Sequence, residues 1–237
     1  MRARLAPMQK SKLPTVEELS AKINNTMVSP ETSLEDLTKF VLESKSYGFG
    51  AVVIQGCWTR EVKELLKGSP LKISVGVGYP MGGERTETKL SEIKETVKLG
   101  ADMFDVMPNI GFLKSGMAKQ FRDEIASMVR AASGRPVRVM LEYAILNPEE
   151  KVKAAELSEE AGVAGVKNSS GWGRGGPATV EDIRLLRKSV SQKVYVKASG
   201  GIRNLDTALS LIDAGASYLG TRAGIAIVDE LRERRLE

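Results

Sequence analysis

The stretch V-Y-V-K-A-S-G-G-I-R at residues 194–203 contains the pattern that decides the fold. A short apolar run ends in two glycines, and an amphipathic segment of helical period then extends from Leu205 to Ala214. Gly215 stops this segment, and a second apolar run follows at Tyr218–Thr221. Runs that are apolar at consecutive positions favour strands buried on both faces, as in a parallel sheet. The stretch and its surroundings therefore predict one strand–helix–strand unit.

The same unit repeats along the whole chain. Strands are predicted at Ile23–Val28, Ala51–Gln55, Ile73–Gly78, Met103–Met107, Val137–Tyr143, Gly165–Asn168, Val194–Ala198 and Tyr218–Thr221. Helices are predicted at Thr15–Lys22, Leu34–Tyr47, Thr59–Leu66, Thr86–Leu99, Met117–Ala132, Pro148–Ala161, Thr179–Val190, Leu205–Ala214 and Ile225–Arg234. Acidic residues in their first turns and glycines after their ends are typical helix signals.

Eight strands with intervening helices predict an α/β protein with the (β/α)8 TIM-barrel fold. The alternative is a doubly wound open sheet, which usually carries a G-x-G-x-x-G turn after its first strand. No such turn follows either of the first two predicted strands. Because no Pro/Ser-rich linker divides the chain, we predict a single barrel domain at residues 15–237 with a short N-terminal helical extension. Residues 1–14 are predicted to be a flexible leader.

Histidine is absent from the 237 residues, and Cys57 is the single cysteine. The first fact excludes Ser-His-Asp and Cys-His nucleophile systems and every metal site built on histidine. The second excludes intramolecular disulfide bonds and is typical of a reducing compartment, so we expect a cytoplasmic protein. Any chemistry must rest on the other polar side chains or on the backbone.

The chain is basic, with a formal net charge of +5. Its densest basic stretches, Arg2–Lys12 and Arg232–Arg235, do not form the basic block with aromatic neighbours that is typical of a nucleic-acid binder. No apolar run approaches the roughly 20 residues that span a bilayer. We therefore expect neither a nucleic-acid partner nor a membrane anchor. A site for a small phosphorylated metabolite accounts better for the charge.

Charged side chains interrupt or end four of the predicted apolar strands, at Asp105, Glu142, Lys167 and Lys197. A TIM barrel builds its active site at this end of its strands. Burial and mutual repulsion both favour the unprotonated, nucleophilic form of a lysine amine. The alternative is that each lysine pairs with Asp105 or Glu142 and is structural. Two lysines on consecutive strands beside an acid favour chemistry.

Glycine-rich loops follow the last two predicted strands, at residues 199–203 and 220–224. Barrels bind phosphate at these positions, where backbone N–H groups and a helix N-terminus favour an anion. Ordinary turns are the alternative for either loop, but the adjacent Arg203 and Arg222 favour phosphate. A third glycine-rich loop, at residues 169–176, is predicted either to close over a substrate or to be a plain surface loop.

Four short motifs resemble those of a known enzyme family. V-K-A-S-G-G-I-R at residues 196–203 is the family's motif without change, and V-K-N-S-S-G at 166–171 is similar to V-K-T-S-T-G. A-D-M-F-D-V-M at 101–107 is similar to A-D-E-I-D-M-V, and G-Y-P-M-G at 78–82 to G-F-P-L-G. The family is that of the deoxyribose-phosphate aldolases, class I aldolases of the DeoC type, and the resemblance extends from about Ile23 to Leu231.

This resemblance implies a barrel without metal or cofactor that reversibly cleaves 2-deoxyribose 5-phosphate to acetaldehyde and glyceraldehyde 3-phosphate. By the same resemblance Lys167 forms the imine, Lys197 lowers the pKa of Lys167, and Asp105 relays protons through water. It also implies that the phosphate is bound by Gly171, Gly200, Gly201, Gly220 and Thr221. We further expect a homo-oligomer, either a dimer or a tetramer.

Three positions depart from the family pattern. Asn24 stands where the family usually has an aspartate, and we predict that it lines the substrate site and alters the proton network near Lys197. Asn168 replaces a threonine of V-K-T-S-T-G. Arg222 replaces a serine; it is predicted to bind the phosphate, unless it turns outward to Asp229 or Glu230.

These departures leave other functions open. One is a Schiff-base aldolase of the same fold that acts on a different phosphorylated or ketone substrate. Another is a barrel phosphosugar isomerase or lyase without a covalent lysine, with Glu142 or Asp105 as its base. The last is a non-catalytic metabolite-binding or scaffold protein.

Overall fold

A computed structural model describes residues 13–236 of the chain. Eight strands in this range pair in sequence order, all parallel, and β8 pairs with β1 to close a barrel. The strands are β1 Ile23–Met27, β2 Ala51–Gln55, β3 Lys72–Val77, β4 Met103–Val106, β5 Val137–Met140, β6 Gly165–Lys167, β7 Tyr195–Ser199 and β8 Tyr218–Thr221. The predicted (β/α)8 fold is confirmed, and the open-sheet alternative is wrong.

Ten α-helices within residues 13–236 surround the barrel. They are α1 Val16–Lys22, α2 Leu34–Ser46, α3 Thr59–Leu65, α4 Thr86–Leu99, α5 Ile110–Lys114, α6 Ala118–Ala131, α7 Pro148–Glu160, α8 Val180–Lys188, α9 Leu205–Asp213 and α10 Gly224–Leu236. Nine of them match predicted helices, with ends that differ by at most two residues. The tenth, α5, is a short helix between β4 and α6 that the sequence analysis missed.

Local hydrogen bonds explain why the helix ends were predictable. Helix α2 begins after Ser33, whose side chain accepts a hydrogen bond from the backbone N–H of Asp36. Helix α7 begins at Pro148, after a reciprocal pair of hydrogen bonds between Asn147 and Glu150. Such contacts span only three residues, so they can be read from the sequence.

Strand β5 shows the largest difference from prediction. It was expected to extend to Tyr143, but it ends at Met140. Glu142 has a left-handed backbone, with φ of +49°, and the chain turns there into a short 3₁₀ turn at Tyr143–Ile145. The prediction that Glu142 lies on a strand was therefore wrong. A residue whose backbone has φ above zero lies outside the β region, so it cannot continue a strand.

The barrel strands are buried on both faces, as their apolar runs predicted. Val137 and Val139 of β5 belong to the apolar core, while Arg138 between them contacts strands across the barrel. Successive side chains of a strand point to opposite faces, so Arg138 faces the barrel interior. Polar groups thus enter the centre of the barrel from strands that look apolar in sequence.

The chain enters the barrel through helix α1, which packs against α10 and leads into β1. Thr15 and Glu18 cap this helix, and Leu19 is fully buried. Residues 1–12 of the predicted leader lie outside the described residues, so the leader and the domain boundary at residue 15 stay predictions. Between residues 13 and 236, no helix has both the length and the apolar character needed to cross a membrane.

Candidate active site

Four charged side chains from consecutive strands meet inside the barrel. Asp105 of β4, Arg138 of β5, Lys167 of β6 and Lys197 of β7 are each at most 4% exposed. Oδ2 of Asp105 lies 2.8 Å from Nζ of Lys197 and 3.4 Å from Nζ of Lys167. Oδ1 of Asp105 accepts a hydrogen bond from Nε of Arg138. The structure therefore brings together the three predicted catalytic residues, and one carboxylate serves three basic groups.

Arg138 is the member of this cluster that the sequence analysis missed. Its Nη1 donates to Oδ1 of Asn24 at 2.6 Å, and its Nη2 donates to Oγ of Ser74 at 2.6 Å. The side chain thus connects β5 to β1, β3 and β4. The criterion used for the lysines, a charged residue inside an apolar strand, also marks Arg138 in P-V-R-V-M at residues 136–140.

Asn24 belongs to the buried cluster through Arg138, which also donates to Asp105. It is buried in the barrel interior against Arg138 and is not among the residues that line the cavity described below. Asn24 is level with Gly220 in the sheet, but its side chain points toward the barrel axis, where the long Arg138 side chain reaches it. Its partner in the structure is the guanidinium of Arg138, and its assignment to the substrate site stays a prediction.

The electrostatics of the cluster favour unprotonated lysines. Burial lowers the pKa of Lys167 and Arg138 lowers it further, while Asp105 acts in the opposite direction. Burial, Arg138 and Lys167 hold the pKa of Lys197 well below the ordinary lysine value, against the opposing effect of Asp105.

For Asp105, burial raises the pKa, but the surrounding cations outweigh it and the net shift is downward. Asp105 therefore stays ionised, and both amines shift toward the nucleophilic form. The cation that lowers the pKa of Lys167 is Arg138. The family resemblance implied that Lys197 has this effect.

A cavity of about 430 Å³ lies where β6, β7, β8 and β1 end. Every predicted phosphate-binding residue other than Asn24 lines it, namely Gly171, Gly200, Gly201, Gly220, Thr221 and Arg222. Ser170 and Ser199, from the predicted loops at 169–176 and 199–203, also line it, as does Tyr79 from the G-Y-P-M-G motif. Thr26 lines it as well and was not singled out in the sequence. Among residues 13–236, the charged side chains in the cavity wall are Arg203 and Arg222. This wall is suited to an anion.

Close packing requires glycine at one of these positions and leaves little room for a side chain at a second. A Cβ on Gly200, which has φ of +99°, would lie 2.4 Å from the backbone oxygen of Gly176. A Cβ on Gly220 would lie 3.0 Å from Cε of Lys197. Glycine therefore lets the loop at 169–176 pack on the loop at 199–203 and lets β8 approach the Lys197 side chain.

Arg222 faces the cavity and donates a hydrogen bond to Oγ of Ser29. The acids considered as outward partners bind other groups. Asp229 accepts from Tyr47 and Arg232, and Glu230 bonds to Arg234. The outward pairing of Arg222 is therefore not formed in the structure.

Glu142 fixes the loop that follows Lys167. Its Oε1 accepts a hydrogen bond from the backbone N–H of Ser170, and a Cβ on Gly175 would lie 2.6 Å from its Oε2. Burial raises the pKa of Glu142, while the hydrogen bonds from Ser170 lower it. The loop at residues 169–176 is thus held by hydrogen bonds and lines the cavity through Ser170, Gly171 and Trp172.

A metal site is not formed within the described chain. Across residues 13–236, no three acidic or cysteine side chains come together as a ligand set for an ion. The absence of a cofactor stays a prediction.

Comparison with known proteins places the chain in a family. A family model described as "DeoC/LacD family aldolase" matches residues 16–229, which include the whole cluster and the cavity wall. The chain belongs to the DeoC/LacD family of aldolases. Membership makes it an aldolase, and it confirms the family resemblance identified from the sequence.

Curated relatives in this family are similar over nearly their full length. The deoxyribose-phosphate aldolase of Caldanaerobacter subterraneus subsp. tengcongensis is 41% identical over 92% of this chain and 95% of its own. That of Dictyoglomus turgidum is 41% identical over 90% of this chain and 97% of its own.

Solved structures of aldolases share the same barrel. "QR15, an Aldolase" matches with a TM-score of 0.88 at 33% identity, over 92% of this chain and 97% of that chain. The deoxyribose phosphate aldolase of Aeropyrum pernix, described as having a unique tetrameric structure, matches with a TM-score of 0.87 at 27% identity. That match covers 94% of this chain and 95% of the Aeropyrum chain.

Proposed function

We propose that this aldolase cleaves 2-deoxy-D-ribose 5-phosphate, reversibly, to acetaldehyde and glyceraldehyde 3-phosphate through an imine on Lys167. The observation that carries the proposal is the buried cluster in which two lysines share the single carboxylate of Asp105 with Arg138. This arrangement favours an unprotonated amine without histidine or metal, as imine formation requires. The substrate named for the curated relatives supports the choice of sugar.

In the cleavage direction, the electron pair on Nζ of Lys167 attacks the C1 aldehyde of the open-chain sugar. The carbinolamine loses water to give a protonated imine. Removal of the proton from the C3 hydroxyl then breaks the C2–C3 bond, and its electrons move into the C1–C2 enamine while glyceraldehyde 3-phosphate leaves. Protonation of C2 and hydrolysis release acetaldehyde and restore the amine.

Asp105 is proposed to move these protons, through water, as the general acid–base group. Its Oδ2 is within 3.4 Å of both amines, so it is placed beside the reacting nitrogen. Lys197, at 2.8 Å from the same oxygen, is proposed to tune the proton affinity of Asp105 and Lys167 without bonding to carbon.

The decisive experiment traps the imine. The protein is incubated with 2-deoxyribose 5-phosphate and borohydride, without added metal, and the modified peptide is identified by mass spectrometry. An adduct on Lys167, together with acetaldehyde release in the absence of borohydride, is the expected result. An adduct on Lys197, or none, would contradict the assignment. Trapping on Lys167 with another aldehyde or ketone, but not with this sugar, would favour the alternative of a Schiff-base aldolase that acts on a different substrate.

The phosphate is proposed to bind in the cavity at Gly171, Gly200, Gly201, Gly220, Thr221 and Arg222. A charge-assisted hydrogen bond from Arg222 contributes about 1.5–3 kcal/mol, so Arg222→Ser should raise KM for the phosphorylated sugar by about tenfold or more. The reaction of unphosphorylated 2-deoxyribose should not change. Arg232→Ser, which removes an exposed arginine paired with Asp229, is the matched control. Equal effects of Arg222→Ser on both sugars would remove Arg222 from the phosphate site.

A homo-oligomer, dimer or tetramer, is proposed as the assembled form, with support from the Aeropyrum relative described as tetrameric. Light scattering of the purified chain measures this directly, and a monomer at micromolar concentration would contradict it. The cytoplasmic location stays a prediction.

A further inference from the structure

Arg138 has no step in the chemistry above, yet it lies at the centre of the buried cluster. In the sheet it is level with Gly165, two residues nearer the amino-terminal end of the barrel than Lys167. The residue is 1% exposed. Three nitrogens of its guanidinium donate to Asp105, Asn24 and Ser74. These anchors on three other strands hold the guanidinium in one orientation.

The charges of the cluster balance only when both lysines are neutral. A guanidinium stays protonated at any physiological pH, so Arg138 and ionised Asp105 neutralise each other. A proton on Lys167 or Lys197 then adds a charge that no further carboxylate bound to these amines compensates. Burial strongly disfavours such a charge.

Among the surrounding groups, Glu142 acts against this balance, because its charge favours a protonated Lys167. The titratable and charged side chains that act on the cluster are Asp105 from β4, Arg138 from β5, Glu142 from the turn after β5, Tyr195 from β7 and Tyr79 from the segment after β3. Glu142 is bonded to the backbone of Ser170 and contacts neither amine within hydrogen-bond distance. Burial raises the pKa of Tyr79 and of Tyr195 to about 12, so both are neutral phenols.

We propose that Arg138 is a positioning residue for the imine chemistry. It aims Oδ2 of Asp105 at the two amines, and it balances the charge of that carboxylate so that Lys167 remains unprotonated. The inference rests on the function proposed above and adds to it the group that sets the protonation state of the nucleophile.

The test measures the rate of borohydride-trapped modification of Lys167 as a function of pH, in the unaltered full chain and in Arg138→Gln. Glutamine keeps a hydrogen-bond donor but removes the charge. Asp105 would then hold protons on the lysines, so the pH midpoint of imine formation should rise by about one unit or more, which is about a tenfold loss of rate at neutral pH. The rate should recover in base, which a merely structural role of Arg138 would not produce.

Arg135→Gln is the matched control. Arg135 lies just before the same strand, and its Nε donates to the backbone oxygen of Ala101 at 2.8 Å, away from the cluster. This variant removes an equal charge, and its pH midpoint should equal that of the unaltered chain.

A folded Arg138→Gln with an unmoved midpoint overturns the inference. If circular dichroism shows that this variant does not fold, Arg138→Met decides, because it removes the same charge and leaves no polar group buried at that position. Asp105 then has only the two lysines as basic partners, so the midpoint must lie above that of the unaltered chain, and an equal or lower midpoint in the folded variant overturns the inference. Failure of the proposed function looks different, because the unaltered chain would then give no adduct on Lys167 at any pH.

Discussion

Two buried clusters of charge in this barrel differ in how their charges balance. Inside the barrel, the carboxylate of Asp105 faces three basic side chains. Outside the barrel, Lys89 of α4 pairs with Glu124 of α6, with 3.1 Å between Nζ and Oε1 and both side chains at most 2% exposed. Nζ of Lys89 also donates to the backbone oxygen of Gly82 at 2.7 Å, and Oε2 of Glu124 accepts from the backbone N–H of Asn109 at 2.7 Å.

The difference shows that burial alone does not make a lysine reactive. Lys89 has a carboxylate of its own, so each charge of the pair has a counter-charge. The pair connects the chain after β3, at Gly82, to the chain after β4, at Asn109, and we expect its role to be structural. Lys167 competes with Lys197 and Arg138 for one carboxylate, and this shortage of negative charge favours the free amine.

The largest expected effect separates activity from stability. Lys167→Leu should reduce turnover by about 10⁴-fold or more, because the nucleophile is gone. The free energy of unfolding should stay the same or increase, since an apolar side chain replaces a buried amine that lacks its own counter-charge. Urea unfolding and a steady-state assay measure the two quantities. If Lys167→Leu lowers the free energy of unfolding so far that the unfolded fraction accounts for the lost activity, Lys167 is structural, like Lys89.

The reverse pattern is expected outside the barrel. Lys89→Met should reduce the free energy of unfolding by about 3–5 kcal/mol, because Glu124 remains buried without its partner. The kcat of the folded fraction should change by less than about threefold, since the barrel cluster is intact. Adding Glu124→Gln to Lys89→Met removes the uncompensated charge while keeping an acceptor for Asn109, so the double variant should regain part of the stability. If adding Glu124→Gln lowers the free energy of unfolding further, an uncompensated charge on Glu124 is not the cause of the instability of Lys89→Met.

The smallest effect is a pH dependence of stability. A lysine whose pKa is lowered by folding binds fewer protons in the folded chain than in the unfolded chain, so stability rises with pH. The window lies between the lowered value and the ordinary lysine value near 10.4. Within it, each lysine contributes a slope of about 1.4 kcal/mol per pH unit. Urea unfolding at several alkaline pH values should therefore give a steeper rise for the unaltered chain than for Lys167→Leu. Equal slopes would show that Lys167 is protonated when folded.

The sequence by itself determined the order of strands and helices, the barrel class and the place of the candidate site. These features depend on contacts between residues close in sequence. The cap at Ser33, the capping pair at Asn147 and Glu150, and the glycine stop at Gly100 each act over one helical turn. Lys167 and Lys197 were recognisable because a charge inside an apolar run is visible without knowing what surrounds it. The prediction for β5 was wrong after Met140. Glu142 has a left-handed backbone there, and its side chain accepts a hydrogen bond from Ser170 in the loop after β6.

Only the tertiary structure decided how the charges inside the barrel are shared. Asn24 and Arg138 are 114 residues apart in sequence, and Ser74 and Arg138 are 64 apart, yet one guanidinium joins them. The sequence placed Asn24 in the proton network near Lys197, but it did not show that Arg138 connects the two, because the reach of a long side chain across a closed barrel is not visible in sequence. The partners of a buried charge set its protonation state, and closure of the barrel brings those partners together.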